Sequence, residues 1–470
     1  MDAVLDWDFT PAEALQAWPE QRGLAALVTG APHPQWGVQT VLAEPAETHV
    51  VPWPTGGAGD AEGASGASGA GGASGAGGAG AAVRQQLRSV LTTHAPADGG
   101  MWLALFCYEL GAMCEPTSMP QHRPPPDGWP LAVLCWCPAP LTYHHQRGQW
   151  TAPRAAAALP AHQSLCQLVE ERVRTRAAAE PAAVTGLEAD QPRAAFEQWV
   201  SRTVEYVRAG DIFQANIAQR FSARWQGSPR AVARAAFAAS APRFGAYLET
   251  PTHAAASMSP ELFLRVDSAG NVVTRPIKGT RALHQDPAAL MASSKDAAEL
   301  HMIVDLMRND IGRVCAPGTV RVTDPRSIES HATVHHCVAE VCGTLRPGAD
   351  FLDLLWATFP PGSVTGAPKV RAMQVIDELE PVARGPYCGA VGAVSADGYT
   401  LNVGIRTISM HRDAPGANAG TLRYSAGCGI VAESDPTDEY EESLHKTAVL
   451  LHTVHGLRAT SPAGGLPARE

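Results

Sequence analysis

Nowhere does this chain of 470 residues hold an apolar run near the about 20 residues that a bilayer-crossing helix needs, which argues against a helical membrane protein. Its acidic start, Met1-Asp2-Ala3-Val4-Leu5-Asp6, lacks the basic segment and apolar core of a secretory leader, and a cytoplasmic location is expected. Positive charge is scarce. Thirty-six Lys and Arg stand against 46 Asp and Glu, a net charge of -10, so neither nucleic acid nor an anionic membrane is expected as a partner, because each requires a basic face. An anionic ligand must then meet cations placed one at a time. Paired cysteine is missing too: Cys135/Cys137 and Cys337/Cys342 fit neither zinc-ribbon nor Cys-x-x-Cys spacing, and ten reduced, mostly buried thiols are expected.

What is there is ordinary globular composition, 45% hydrophobic and 17% charged, with length enough for a large core or two domains. Residues 55–82 are Gly/Ala/Ser-rich, with little to bury, and predict a disordered loop. Apolar runs at Met101 to Tyr108 and Leu131 to Trp136 predict buried strands, and Phe196, Val200, Val204 and Val207 predict a helix. Beyond Ile212 strand and helix patterns mix without a strict alternation, which favours α+β over a doubly wound sheet. Strands are predicted over Phe213 to Phe221, Leu262 to Val266, Val334 to Leu345, Leu401 to Met410 and Leu422 to Val431. Helices are predicted over Ser294 to Arg313, Phe351 to Thr358, Pro368 to Leu379 and Pro436 to His455.

Several constellations carry chemistry. In the predicted turn Pro276-Ile277-Lys278-Gly279-Thr280, a proline fixes the backbone before the lysine and a glycine permits close approach after it, although the pentapeptide alone also fits a surface lysine. Asp296 and Glu299 share a helix face, as do Glu439 and Glu442, with Lys446 one turn beyond. Two acidic faces without thiolate or imidazole at matching spacing suit a hard cation such as magnesium; an ordinary Glu-to-Lys helix pair fits equally. Arg406 interrupts an apolar strand pattern and needs a carboxylate, whether a substrate's or the protein's own. The run Gly362 to Lys369 is a glycine-bearing loop entering a helix, whose amides and hydroxyl can receive an anion, and Gly427-Cys428-Gly429 allows close backbone approach.

Taken together, Gly210-Asp211-Ile212-Phe213-Gln214-Ala215-Asn216, Ser259-Pro260-Glu261, Pro276 to Thr280, Met302 to Asp310, Gly362 to Lys369, Ile405-Arg406-Thr407 and Gly427-x-Gly429-Ile430-Val431 resemble the motifs of the chorismate-utilising enzymes, in the same order. That family includes anthranilate synthase component I, aminodeoxychorismate synthase component I, isochorismate synthase and salicylate synthase. The resemblance implies an α+β sandwich of two large antiparallel β-sheets with outer helices, and a cleft for chorismate and Mg2+. It divides the chain into an N-terminal region over 1–176 that holds the insertion 55–82, a chorismate-binding region over 194–457 and a flexible tail over 458–470.

By the same resemblance Glu299 and Glu442 bind the metal, with Asp296 and Glu439 as adjacent or water-mediated ligands. Arg406 and Tyr387 match positions that hold the enolpyruvyl carboxylate. Lys446 and the amides near Gly427 and Gly429 match the site of the ring carboxylate and metal. Thr365 and His336 match further active-site positions, and Glu261 matches the acid that protonates the departing C4 hydroxyl. Cys337 and Ala339 replace a leucine and a serine often found after the family histidine, and Pro361 replaces a common glycine. Gln214 stands where the hydrolytic branches carry a water-activating lysine. Lys278 stands where aminodeoxychorismate synthases usually have lysine and anthranilate synthases alanine, which implies a covalent step at ring carbon 2. Ammonia is expected from a separate glutamine amidotransferase, since no Cys-His glutaminase motif is apparent. Anthranilate synthase, or a family member that binds without turnover, is the alternative.

Overall fold

Strands at the heart of this molecule bury both faces. In Met101–Phe106 the alternation sends Leu103 and Leu105 one way, into an inner layer with Ala25, Val133, Ala246 and Val391. Trp102, Ala104 and Phe106 point the other way, against helices. The computed structural model describes residues 2–30, 32–54, 72–96, 99–330 and 334–460, and two antiparallel sheets dominate it. The first has 12 strands, in which Gln39–Ala43 and Ala25–Val28 continue directly into Phe244–Glu249, His253–Ser259, Thr407–Arg412, Ala419–Ile430 and Gln214–Gly227. The second has 10 strands and runs from Ile277–Ala282 through Val334–Thr344, Asn271–Arg275, Leu262–Asp267, Gly398–Val403 and Ala390–Ser395 to Met101–Phe106, Ala132–Cys137 and Glu47–Val51. Helices cover the outer faces, Ser294–Gly312 and Phe351–Thr358 on the second sheet, Pro229–Ser240 and Ala448–Thr460 on the first. The expected α+β sandwich is therefore present. Both sheets draw strands from both sides of residue 176, so the two regions read from the sequence share one pair of sheets.

Four local expectations change. Residues 55–71 lie outside the described residues, but from Gly72 the composition expected to be disordered enters the helix Gly72–Thr93. Alanine is the best helix former, and the C-terminal half of this helix docks through buried Val83 and Leu87, each worth about 1.5–3 kcal/mol of apolar burial. Pro276 to Thr280 is not a turn, because Ile277–Ala282 is a strand on the edge of the second sheet. Leu401 to Met410 is not one strand either: it breaks into Gly398–Val403 in one sheet and Thr407–Arg412 in the other, and Arg406, at φ 51°, makes the crossing. Pro436 to His455 divides into Pro436–His445 and Ala448–Thr460, with Lys446 at the end of the first helix. Residues 461–470, most of the expected tail, lie outside the described residues.

Candidate active site

The strand Ile277–Ala282 pairs with Val334–Thr344, with Ile277 opposite Val338 and Thr280 opposite His336. Three steps on one strand match two on the other, so the extra residue makes a bulge at Lys278-Gly279, and Gly279 takes φ 81°. A Cβ on Gly279 would lie 3.0 Å from Asp296 Cγ, so the glycine lets the helix Ser294–Gly312 close onto the strand. The bulge aims Lys278 at Gly429, where an added Cβ would meet Lys278 Nζ at 3.1 Å and Gln214 Nε2 at 2.9 Å. Burial lowers the Lys278 pKa from the ordinary lysine range; the Glu299 carboxylate opposes this and the Lys446 cation adds to it.

Glu261 follows the turn Ser259-Pro260, whose serine Oγ accepts the Glu261 amide at 3.2 Å. Its carboxyl is 4% exposed, and burial pushes its pKa up to about 7 against the opposing Ser363 hydroxyl and Lys278 cation. His336 is buried across the ladder from Thr280, whose hydroxyl lies 3.0 Å from Nδ1. Gln214 is fully buried, and among the described residues neither its Oε1 nor its Nε2 has a hydrogen-bond partner. A buried amide left so is costly, about 1–3 kcal/mol, unless a ligand completes it.

The acidic faces meet. Burial raises the Glu299 pKa, and the carboxylates of Asp296 and Glu439 act on it in the same sense. Glu439 is raised by burial and accepts the Ser434 hydroxyl at 2.7 Å. Glu442 is lowered, first by Lys446, which it pairs with at 2.8 Å. Lys446 also donates to the Gly427 carbonyl at 2.8 Å, and although burial disfavours its charge, Cys428 and Glu442 leave its pKa raised. Asp296 Oδ2 is buried without a hydrogen bond, 3.6 Å from Arg281. Four carboxylates brought to one cleft, one of them with an oxygen left over, fit a hard divalent cation better than they fit one another. Cys428 is an addition that spacing did not reveal. It joins Glu439 and Glu442 with one ligand atom each within 4.8 Å, but burial raises its thiol and leaves it a poor partner for a hard ion.

Arg406 is half-buried, and no carboxylate among the described residues pairs with it. Burial lowers its pKa, with only the Tyr424 phenol opposing. Tyr387 comes close through the backbone: Cys388 N donates to Gly404 O and Gly404 N to Gly389 O, both at 2.8 Å, which ties the loop of Tyr387 to the residues just before Arg406. The buried Thr365 hydroxyl donates towards the carbonyls of Pro361 and Gly362 at 3.2 Å, which holds the shape of its loop. A Cβ on Gly427 would meet the Ile217 carbonyl at 2.5 Å, so this glycine lets the neighbouring strand approach closely. Sequence reading missed Ser363 beside Glu261, and a buried cluster of Glu109, Glu380 and Arg384; the only signal for it was an acid and an arginine four apart at a helix end.

The family profile described as chorismate binding enzyme matches residues 66–452. Aminodeoxychorismate synthase component 1 of Salmonella typhimurium is 37% identical over 372 residues, 76% of this chain and 77% of that protein. Anthranilate synthase component 1 of Aquifex aeolicus is 40% identical over 270 residues, 55% of this chain and 52% of that protein. The crystal structure of anthranilate synthase component I from Streptococcus pneumoniae superposes with a TM-score of 0.70 at 26% identity, covering 95% of this chain and 98% of that one.

Proposed function

This chain belongs to the chorismate binding enzymes, and from that premise we propose that it is an aminodeoxychorismate synthase component I, making 4-amino-4-deoxychorismate from chorismate and ammonia. One observation carries the reading: a half-buried amine, Lys278 Nζ, sits in the cleft with its pKa lowered, beside a glycine and an unpartnered amide, with the raised carboxyl of Glu261 acting on it. A lowered pKa increases the share of a lysine that is neutral and nucleophilic, and a raised one the share of a carboxyl that is protonated and can act as a general acid.

In the proposed sequence, Lys278 Nζ attacks ring carbon 2, both ring double bonds shift by one position, and the C4 hydroxyl leaves as water with the Glu261 proton. The adduct's ammonium proton returns to Glu261. Ammonia then attacks carbon 4, both double bonds shift back, and Lys278 leaves carbon 2, taking the Glu261 proton; the new ammonium returns its excess proton to Glu261. Chorismate and ammonia thus give product and water. Because the lysine occupies carbon 2, nitrogen enters at carbon 4. Asp296, Glu299, Glu439 and Glu442 would hold magnesium, which supplies charge neutralisation and orientation for the substrate carboxylates. The unpaired Arg406, with Tyr387, suits the enolpyruvyl carboxylate, and Lys446 the ring carboxylate. His336, held by Thr280, lines the same ladder beside Lys278. A separate glutamine amidotransferase supplies ammonia, and the place in metabolism is para-aminobenzoate and folate formation in the cytoplasm.

The comparably similar anthranilate synthases favour a second reading, in which nitrogen enters carbon 2 and anthranilate results. Chromatography of the products from chorismate, ammonium and magnesium, with and without an amidotransferase, decides between them. The expected product is 4-amino-4-deoxychorismate; anthranilate overturns the proposal, as does wild-type rate in Lys278→Ala.

A further inference from the structure

Arg384 has no part in the chemistry above, yet its guanidinium is 6% exposed and makes four hydrogen bonds. Nε and Nη2 grip Glu380 at 2.9 and 2.6 Å, Nη2 also donates to the Asn216 carbonyl at 2.6 Å, and Nη1 donates to the Val364 carbonyl at 3.1 Å. Glu380 in turn accepts the Ala218 amide at 2.9 Å. The plane of the fork lies over two phenol rings, 4.7 Å from the centroid of Tyr108 and 5.7 Å from that of Tyr387. Its backbone is fixed from the far end of the chain: Glu109 accepts the Arg384 amide at 2.6 Å and the Gly385 amide at 3.1 Å.

These contacts fall on the segments that bear the cleft residues. Asn216 is two residues from Gln214, Val364 precedes Thr365, and Tyr387 is three residues beyond Arg384 and lies beside the Asn216 side chain. The strand of Gln214 and the loop of Thr365 are themselves joined by Asn216 N to Thr365 O at 2.8 Å. Only a planar, five-donor side chain can hold a carboxylate and two carbonyls of different elements at once; a lysine lacks the fork. We propose that Arg384 is a positioning residue, which sets the strand of Gln214, the loop of Thr365 and the loop of Tyr387 at their mutual spacing for chorismate. This rests on the reading that those residues face chorismate, and is independent of which aminated product forms.

The test compares wild type with Arg384→Lys, which keeps the charge and loses the fork, and with Glu380→Gln, which disturbs the same fork from the carboxylate side. Arg230→Met is the reference, because Arg230 is an equally buried arginine paired with Glu249 and holding the Pro19 and Arg22 carbonyls, with no contact to the segments of the cleft. Chorismate disappearance gives KM and kcat, and the melting shift on adding chorismate reports binding without turnover. Arg384→Lys and Glu380→Gln are expected to raise KM about tenfold or more and to lose most of the chorismate-induced shift, with kcat less affected. Arg230→Met is expected to lower the melting temperature but keep wild-type KM and shift. Wild-type KM and shift in Arg384→Lys overturn the proposal, and so does an equal rise of KM in Arg230→Met, which makes the effect one of general stability. If one fork variant fails to fold, the other decides. Failure of the functional reading shows separately, as a wild-type chain that neither consumes chorismate nor is stabilised by it.

Discussion

Lys278 Nζ occupies the space that Gly429 leaves open: a methyl group there would lie 3.1 Å from it. The lysine and the glycine come from different sheets, and neither has another way to fill that point. Gly429→Ala is therefore expected to displace the amine and the Gln214 amide, reducing kcat/KM about tenfold or more. The melting temperature should change little, because the displaced atoms are ends of side chains rather than backbone. Chorismate consumption and a circular-dichroism melt measure the two; unimpaired turnover in the variant places the reacting lysine elsewhere.

The rate should depend on pH from both sides. Rising pH increases the neutral fraction of Lys278, whose pKa burial lowers, and so raises activity. The same rise takes the proton from Glu261 as pH passes about 7, which lowers activity, so the two groups act on the rate in opposite senses. Glu261→Gln should lose most of the rate, and its residual profile should lose the falling limb. Stability carries the same signature with a fixed sign. The folded Glu261 binds its proton more tightly than an ordinary carboxyl at 4.5, so its contribution is full below that value and is lost as pH rises towards about 7. Thermal melts should then find Glu261→Gln gaining on wild type as pH rises across this range; a constant difference between the two counts against the raised pKa.

Arg406 should trade stability for binding. Its guanidinium is desolvated with no carboxylate among the described residues to compensate, so Arg406→Leu is expected to leave the melting temperature unchanged or higher. KM for chorismate should rise by about tenfold to a hundredfold, the worth of a charge-assisted pair. A variant with wild-type KM removes the guanidinium from substrate binding.

Magnesium should stabilise the chain as well as activate it. With the ion, the melting temperature is expected to rise in wild type, and chelation should reverse the shift and stop turnover. Glu299→Gln should need about tenfold more magnesium for half the shift. An identical magnesium titration in the variant argues against Glu299 as a ligand.

Much of this site was legible because its chemistry is local in sequence. Asp296 with Glu299 and Glu439 with Glu442 are read from helical spacing, and the structure turns both pairs into one cleft. Lys278 was legible as a constrained lysine, but not as a bulge, because a bulge depends on the register of the neighbouring strand. Arg406 misled for a related reason: Val403-Gly404-Ile405-Arg406 alternates like a continuing strand, and only the sheet change reveals the positive φ. The helix from Gly72 was hidden by glycine-rich composition, since Val83 and Leu87 stabilise it through contacts that composition does not record. Arg384 and Glu109 were least visible, for their bond spans 275 residues and follows no period.

The sharing of both sheets by early and late strands has a consequence for biosynthesis. Emerging from the ribosome, Ala25–Val28 and Met101–Phe106 each meet one neighbour early, Gln39–Ala43 and Ala132–Cys137, but their second neighbours only after Phe244 and Ala390 respectively have been made. Glu439, Glu442 and Lys446 arrive later still. A nascent chain can bury much of its apolar surface before it owns a single complete ligand site, because the cleft waits for Glu439, Glu442 and Lys446.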